Sequence, residues 1–246
     1  MNLLAVSKTD ISPPEFQGHW VREGLVNQLH HSQKKLTLIQ APPGYGKTGL
    51  LCQIYHVQPK PALWVNIRQS DNDPINLIQK IGAAIAALKS DQPVNTRQYQ
   101  SDGFTPPSFN PWILSLIDEL NEFNGVEIYL NDVDFLVEAA VLDILNRLIR
   151  NTSTHVRFYI TTAKAPSFSY AHLLMENQVT SITQEALRFD KAEIAQVFKL
   201  AGATVPSASL LQKIVDLTEG WPAAIYFAAV NLEASSLESF LAELGQ

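Results

Sequence analysis

Cysteine is nearly absent: Cys52 is the only one in 246 residues, which excludes an internal disulfide and a cysteine-rich metal site and suits a reducing compartment. Positive charge is scarce as well. Lys and Arg number 18 against 24 Asp and Glu, a net charge of −6, so this stretch lacks the basic footprint of a nucleic-acid binder, and any DNA contact would need domains absent from it. No apolar run approaches the roughly 18 residues of a membrane span. The opening MNLLAVSKTDISPPEF has no basic region followed by a long apolar core, so neither a secretory leader nor a membrane partner is expected, and the reading is cytoplasmic. Internal repeats and low-complexity tracts are missing too. What remains is 46% hydrophobic and 17% charged, enough for one large domain or two modest ones.

Five short β-rich runs stand out: 35–40 (KLTLIQ), 62–67 (ALWVNI), 126–131 (VEIYLN), 156–162 (VRFYITT) and 179–184 (VTSITQ). Helical stripes separate most of them. Ile75, Ile78, Ile81, Ile85 and Leu88 follow Asp73-Pro74, an N-cap with proline at the first helical position. Trp112, Leu116, Leu120 and Phe123 follow Asn110-Pro111, and Leu142, Leu145, Leu148 and Ile149 form a third stripe. Strands alternating with helices predict an α/β fold with a parallel sheet covered on both faces. Residues 89–110, with Pro93, Pro106 and Pro107, read as an exposed excursion.

After about residue 185 only helical signals remain. Asp190 and Glu193 form a capping box, with Phe189 and Ile194 at the positions of a hydrophobic staple. Ser207 precedes Leu210, Leu211, Ile214 and Leu217, and Gly220-Trp-Pro222 breaks one helix and starts another, with Trp221 expected in the core. Ser235 and Glu238 repeat the capping spacing before Leu237, Leu241 and Leu244. The expected organisation is an α/β domain at 1–185, whose nucleotide-binding assignment rests on the loop described next, and a small all-α domain of about four helices at 186–246.

The chemistry is carried by Ala41-Pro-Pro-Gly-Tyr-Gly-Lys-Thr48, between the first strand and a helix. A loop in that place turns backbone N–H groups around an anion while the helix behind it presents its unpaired first-turn donors. Gly44 and Gly46 supply backbone freedom, and Pro42 and Pro43 stiffen the entry. Lys47 reaches for the β- and γ-phosphates and Thr48 for Mg²⁺. Pro43, Gly44, Tyr45, Gly46, Lys47, Thr48 and Gly49 are therefore the candidate cofactor-binding residues. A partner strand must deliver an acidic group to the metal and the attacking water, and only VEIYLNDVD ends suitably. Asn131 then occupies the magnesium-facing position and Asp132 the next, making both candidate catalytic residues. Asn keeps an oxygen acceptor but not the charge that hard Mg²⁺ prefers, so weakened hydrolysis is expected, with Asp132 polarising water or shifting to the metal. Thr161 and Thr162 end the fourth strand, and Lys164 just beyond reads as either a phosphate contact or a solvated loop charge.

Taken in order, APPGYGKT, Asp71-Asn-Asp-Pro74, Leu187-Arg-Phe189 and Thr218-Glu-Gly-Trp-Pro222 resemble the nucleotide-binding and helical part of large ATP-dependent LuxR-type transcriptional regulators. These belong to the signal-transduction ATPases with numerous domains. The resemblance runs from about Pro13 to Ala229. It implies a P-loop NTPase sheet of five parallel strands with the P-loop strand central, and helices closing over ATP or ADP with Mg²⁺. It also implies Arg22 near the base, Pro222 near the nucleotide, and self-association on ATP binding. Adenine rather than guanine follows from the likeness, no Asn-Lys-x-Asp element being present after the fourth strand. Three positions depart from the family: Gly49 in place of a second Thr, Asn131-Asp132 in place of paired aspartates, and Ala163 in place of an Arg. These bear on hydrolysis more than on binding, because Lys47, Thr48 and the loop remain. The leading expectation is a nucleotide-gated switch module and at most a slow ATPase. The alternatives are an interaction-only P-loop scaffold and a small-molecule kinase, for which neither an acidic substrate-activating group nor an arginine-rich lid is evident.

Overall fold

The β-rich runs pair because each alternates between two apolar faces, and a strand buried on both sides is stable only between neighbours with helices above and below. In the computed structural model, which describes residues 6–15, 22–57, 60–89 and 109–231, they are β1 (Leu36–Gln40), β2 (Ala62–Asn66), β3 (Val126–Asn131), β4 (Val156–Thr162) and β5 (Val179–Ile182). All pairings are parallel, in the order β2-β3-β4-β1-β5. β1 is thus interior, one place from the edge, and β4 holds the middle position that the family resemblance gave to the P-loop strand. β5 is two residues shorter than its apolar run, because Gln184 opens a short helix, α7 (Gln184–Leu187). Nearly all of the excursion at 89–110, and the helix expected after Ser235, lie outside the described residues.

Two cores sandwich the sheet. On one face Leu36, Leu38, Val65, Ile128 and Phe158 pack under α3 (Pro74–Lys89), α4 (Asn110–Asn121) and α5 (Ala139–Asn151). The other face receives α1 (Glu23–His31) and α2 (Lys47–Val57), and here the sheet carries Trp64, Tyr129 and Tyr159 in register on three adjacent strands. Their rings stack at 5.9 and 4.7 Å, and Tyr55 of α2 meets Trp64 and Tyr129 edge-on. Such a row ties α2, and with it the end of the glycine-containing loop that runs into it, to the rigid centre of the sheet. Cys52 sits in this core with no exposed surface, and burial pushes its thiol up to about 11, so it packs as a small hydrophobe with little thiolate to react.

One row below the aromatics lies a buried charge pair. Glu127 is fully buried; it accepts a hydrogen bond from the Tyr129 hydroxyl at 2.7 Å, and its other oxygen is 3.7 Å from the Arg157 guanidinium. Arg157 also donates to the Ser32 carbonyl and the Gln33 side chain.

The C-terminal part is helical. α6 (Ala171–Met175) precedes β5, and after α7 come α8 (Lys191–Leu200), α9 (Ala208–Thr218) and α10 (Pro222–Asn231) around Ile194, Phe198, Ile214 and Ile225. The Asp190–Glu193 capping box forms in both directions, and Ser207 caps α9. Two apolar side chains depart from expectation. Leu217 is exposed, and Trp221, 39% exposed, lies against the phosphate loop rather than in the helical core. The backbone turn at 219–220 aims the indole outward, since Glu219 and Gly220 both take left-handed conformations just before α10. No helix among the described residues is long and apolar enough to cross a membrane.

Candidate functional site

Between β1 and α2 the chain turns through Gly44 (φ 82°) and Gly46 (φ 75°), both left-handed. Alternating the backbone hand in this way points successive amides into one concavity, the geometry that receives an anion. An open cleft of about 600 Å³ is lined by Pro43, Gly44, Gly46, Lys47, Thr48 and Gly49 of this loop together with Asp132, Asp134 and Phe135 from the turn after β3 and Ala163 and Lys164 from the turn after β4. Lys47 is only 8% exposed, and its ammonium donates to the Pro42 carbonyl at 3.2 Å. Burial pushes its pKa below the usual lysine value, which the carboxylates of Asp132 and Asp134 oppose. Asp132 is the converse case: burial pushes its carboxyl up, Lys47 opposes the shift and Asp134 adds to it.

Behind this wall the side chains interlock. Asn131 Oδ1 accepts from the Thr48 hydroxyl at 3.0 Å and the Thr161 hydroxyl at 2.9 Å, while the Asp132 backbone N–H donates to Thr161 Oγ1. Asn131 Nδ2 donates to Asp132 Oδ2 and to Asn66 Oδ1, and Asn66 Nδ2 holds the carbonyls of Thr9 and Ser12. The first helical residues behind the loop, the end of β3 and the N-terminal strap thus share one polar chain. Asn131 is therefore adjacent to Thr48, as the simplest register predicts, but stands behind the cleft rather than lining it. Hydroxyl, amide oxygen and carboxylate are hard oxygen donors, a set that fits Mg²⁺ better than a softer metal.

Three candidates lie away from the cleft wall. The Tyr45 hydroxyl accepts from Gln184 Nε2 at 2.8 Å, fastening the loop to α7. Arg22 donates to Glu193 and to the Arg188 carbonyl, its guanidinium lies 5.5 Å from the centre of the Phe189 ring, and its backbone N–H bonds Gln53. Pro222 is buried at the start of α10. Next to it, however, the helical segment touches the loop directly. Ala223 N–H donates to the Gly44 carbonyl at 3.1 Å, and a Cβ built on Gly44 would stand 2.6 Å from Trp221 Nε1. Position 44 thus needs glycine for its left-handed φ and again for the approach of the indole.

Sequence reasoning missed Asp134. Its carboxylate faces the turn after β4, lying 2.9 Å from the Thr162 hydroxyl and accepting from the backbone amides of Ala163 at 2.7 Å and Lys164 at 3.3 Å. The available signal was a second acid two positions after Asp132, at the end of the same apolar strand.

Comparison with known proteins agrees with this geometry. Over 222 residues, 87% of this chain, it is 25% identical to the HTH-type transcriptional regulator MalT of Vibrio cholerae serotype O1. Over 227 residues, 89% of the chain, it is 23% identical to MalT of Yersinia enterocolitica serotype O:8. Both matches cover 24% of the relative, so the chain spans about a quarter of the length of the curated relatives it matches. The fold is shared with the Walker-type ATPase PABY2304 of Pyrococcus abyssi, at a TM-score of 0.58 and 13% identity, covering 92% of this chain and 72% of that one. No protein-family model matches the chain. The resemblance carried by the four motifs thus extends, as sequence similarity to MalT regulators, across nearly nine-tenths of the chain.

Proposed function

We propose that this chain is the adenine-nucleotide-binding switch module of a MalT-like regulator, binding ATP or ADP with Mg²⁺ and hydrolysing ATP slowly or not at all. The observation that carries the reading is the left-handed pair Gly44 and Gly46 leading into the buried Lys47, with Asp132 and Asp134 lining the same cleft. Main-chain amides and one ammonium bind the phosphates. Thr48, with Asn131 or Asp132, would hold Mg²⁺, which supplies charge neutralisation between the phosphates. A boundary near residue 185 separates the nucleotide domain from a helical domain that reports on it through Trp221, Ala223 and the Arg22–Glu193 pair. Self-association on ATP binding, and DNA contact through domains absent from this chain, belong to the same reading.

Titrating the protein with ATP and with ADP in the presence of magnesium tests it. Saturable binding with one site per chain is expected, and heat or fluorescence signals flat for both nucleotides would overturn it. The interaction-only scaffold predicts that flat result.

Asn131 accounts for the expected slow turnover. Its Oδ1 already accepts two hydroxyls and brings no negative charge, whereas a carboxylate there would hold the metal more firmly. Asn131→Asp is expected to raise ATP turnover, or tighten its magnesium dependence, by about tenfold, the size of one charged contact. A phosphate-release assay across a magnesium series checks this, and an unchanged rate would remove position 131 as the cause.

A further inference from the structure

Which end of the Asn131 amide faces Thr48 decides what Thr48 can offer a cation. While Asn131 Oδ1 accepts the Thr48 proton, the hydroxyl keeps its lone pairs for the cleft; a reversed amide would donate to that oxygen and occupy one of them. The two ends of an amide have nearly the same shape, so its partners alone fix its direction. The hydroxyls of Thr48 and Thr161 do not fix it, because a hydroxyl can donate or accept. Two acceptors do, the Asp132 carboxylate at 3.3 Å and Asn66 Oδ1 at 3.4 Å. Asp132 lines the cleft, where a bound cation would draw its oxygens away, which leaves Asn66 to hold the amide.

Asn66 is itself held in one direction. Its Nδ2 lies 2.8 and 2.9 Å from the carbonyls of Thr9 and Ser12, which only accept, and its Oδ1 lies 2.8 Å from the Trp64 indole N–H, which only donates. Carbonyls of the N-terminal strap, residues 6–15, thus set Asn66, Asn66 sets Asn131, and Asn131 sets Thr48. The strap is a shaped partner: Thr9 sits in the 3₁₀ turn Lys8–Asp10, Ser12 precedes the stiff pair Pro13-Pro14, and Asp10 is 2.9 Å from the Arg68 guanidinium.

We infer that the N-terminal strap is coupled to the cation position of the cleft, and that Asn66 is the positioning residue that carries the coupling. This rests on the nucleotide-binding reading, with Thr48 on the metal, and adds a regulatory input to it. Whatever lifts the strap weakens the hold on Mg²⁺, and by reciprocity a bound metal and a docked strap favour each other. Lys47, which bonds the Pro42 carbonyl, stands outside this chain of bonds, so nucleotide without metal is indifferent to the strap.

Hydrogen exchange at the amides of Ser7, Asp10 and Ile11, all bonded within the strap, reads one side of the coupling, and magnesium titration of ATP binding reads the other. In the wild type, saturating ATP with magnesium is expected to slow strap exchange by about fivefold, the worth of one neutral hydrogen bond, and ATP with a chelator to leave it unchanged. Asn66→Ala is expected to abolish that slowing and to raise the magnesium concentration at half-saturation by about fivefold, with metal-free ATP affinity kept within about twofold. Asn131→Ala breaks the chain without touching the bonds of the strap, and supplies the same exchange readout should Asn66→Ala fold poorly. Strap exchange that ignores magnesium in the wild type, slowing that survives in either variant, or an equal loss of ATP affinity with and without metal in Asn66→Ala would overturn the inference. A wild type that binds no nucleotide would remove the underlying reading as well, whereas one that binds ATP and magnesium with the strap unaffected removes only this one.

Discussion

Lys47→Ala is expected to weaken ATP and ADP binding by at least about a hundredfold while leaving the thermal midpoint within a degree or two of the wild type. The asymmetry follows from where the ammonium spends its charge. In the protein it bonds one carbonyl of its own loop, at Pro42, so its removal costs the fold little. Toward a ligand it is the cation that the loop contributes to the cleft among the described residues, and it is largely buried, so a charge-assisted contact to each of two phosphates contributes about 1.5 to 3 kcal/mol apiece. Two such contacts amount to roughly a hundredfold or more in affinity. The sign with pH follows from the lowered Lys47 pKa: affinity declines with rising pH sooner than it would for an exposed lysine, since the neutral amine gains nothing from a phosphate. Calorimetric titration of both nucleotides against wild type and variant provides the check. Wild-type affinity in Lys47→Ala would mean that the loop does not bind polyphosphate.

Glu127→Ala is expected to give the largest loss of stability. Removing one member of a buried pair leaves the other charge unpaired, at a cost of about 3 to 5 kcal/mol. Arg157 keeps its bonds to Ser32 and Gln33, but the Tyr129 hydroxyl loses its acceptor, and a cavity opens beneath the aromatic row. That hydroxyl has no escape by ionising, since burial and the Glu127 carboxylate push both Tyr129 and Tyr159 well above the usual phenol range. For a chain of this size about 2 to 4 °C per kcal/mol is typical, so the midpoint should fall by roughly 10 °C. Glu127→Gln keeps an acceptor for Tyr129 and should lose less. A thermal melt of the alanine variant that superimposes on the wild type would show that the pair contributes nothing.

These two residues also mark how far the sequence could be read. Lys47 was legible because every signal for it is local: an apolar strand, two glycines and a helix directly behind. The capped helix starts at Asp73, Asp190 and Ser207 were legible for the same reason, as were the bounds of β3 and β4. Glu127 was not, because its partner stands on a strand thirty residues later and only the parallel register sets them side by side. Asp134 depends on the turn after β4 arriving beside it, and Arg22 on α8 doing so. Trp221 was misread because aromatic residues at a helix break are usually core, whereas here the tight approach to Gly44 gives the indole an apolar wall without full burial. Tertiary placement, rather than propensity, decided each of these cases.

The contact between Gly44 and the 221–223 segment has a further consequence for how the protein comes into being. Its two sides are separated by about 180 residues of chain, so on the ribosome the loop is made early and its covering turn emerges among the last described residues. β1 likewise waits for β4 and β5, both far downstream, before either of its edges is paired. Closing so many distant contacts is slow, and until it happens the nascent strand offers bare edges to other chains. The Gly44–Gly46 turn is therefore among the final parts to mature during biosynthesis, and a chain truncated before residue 221 would lack the support that shapes it.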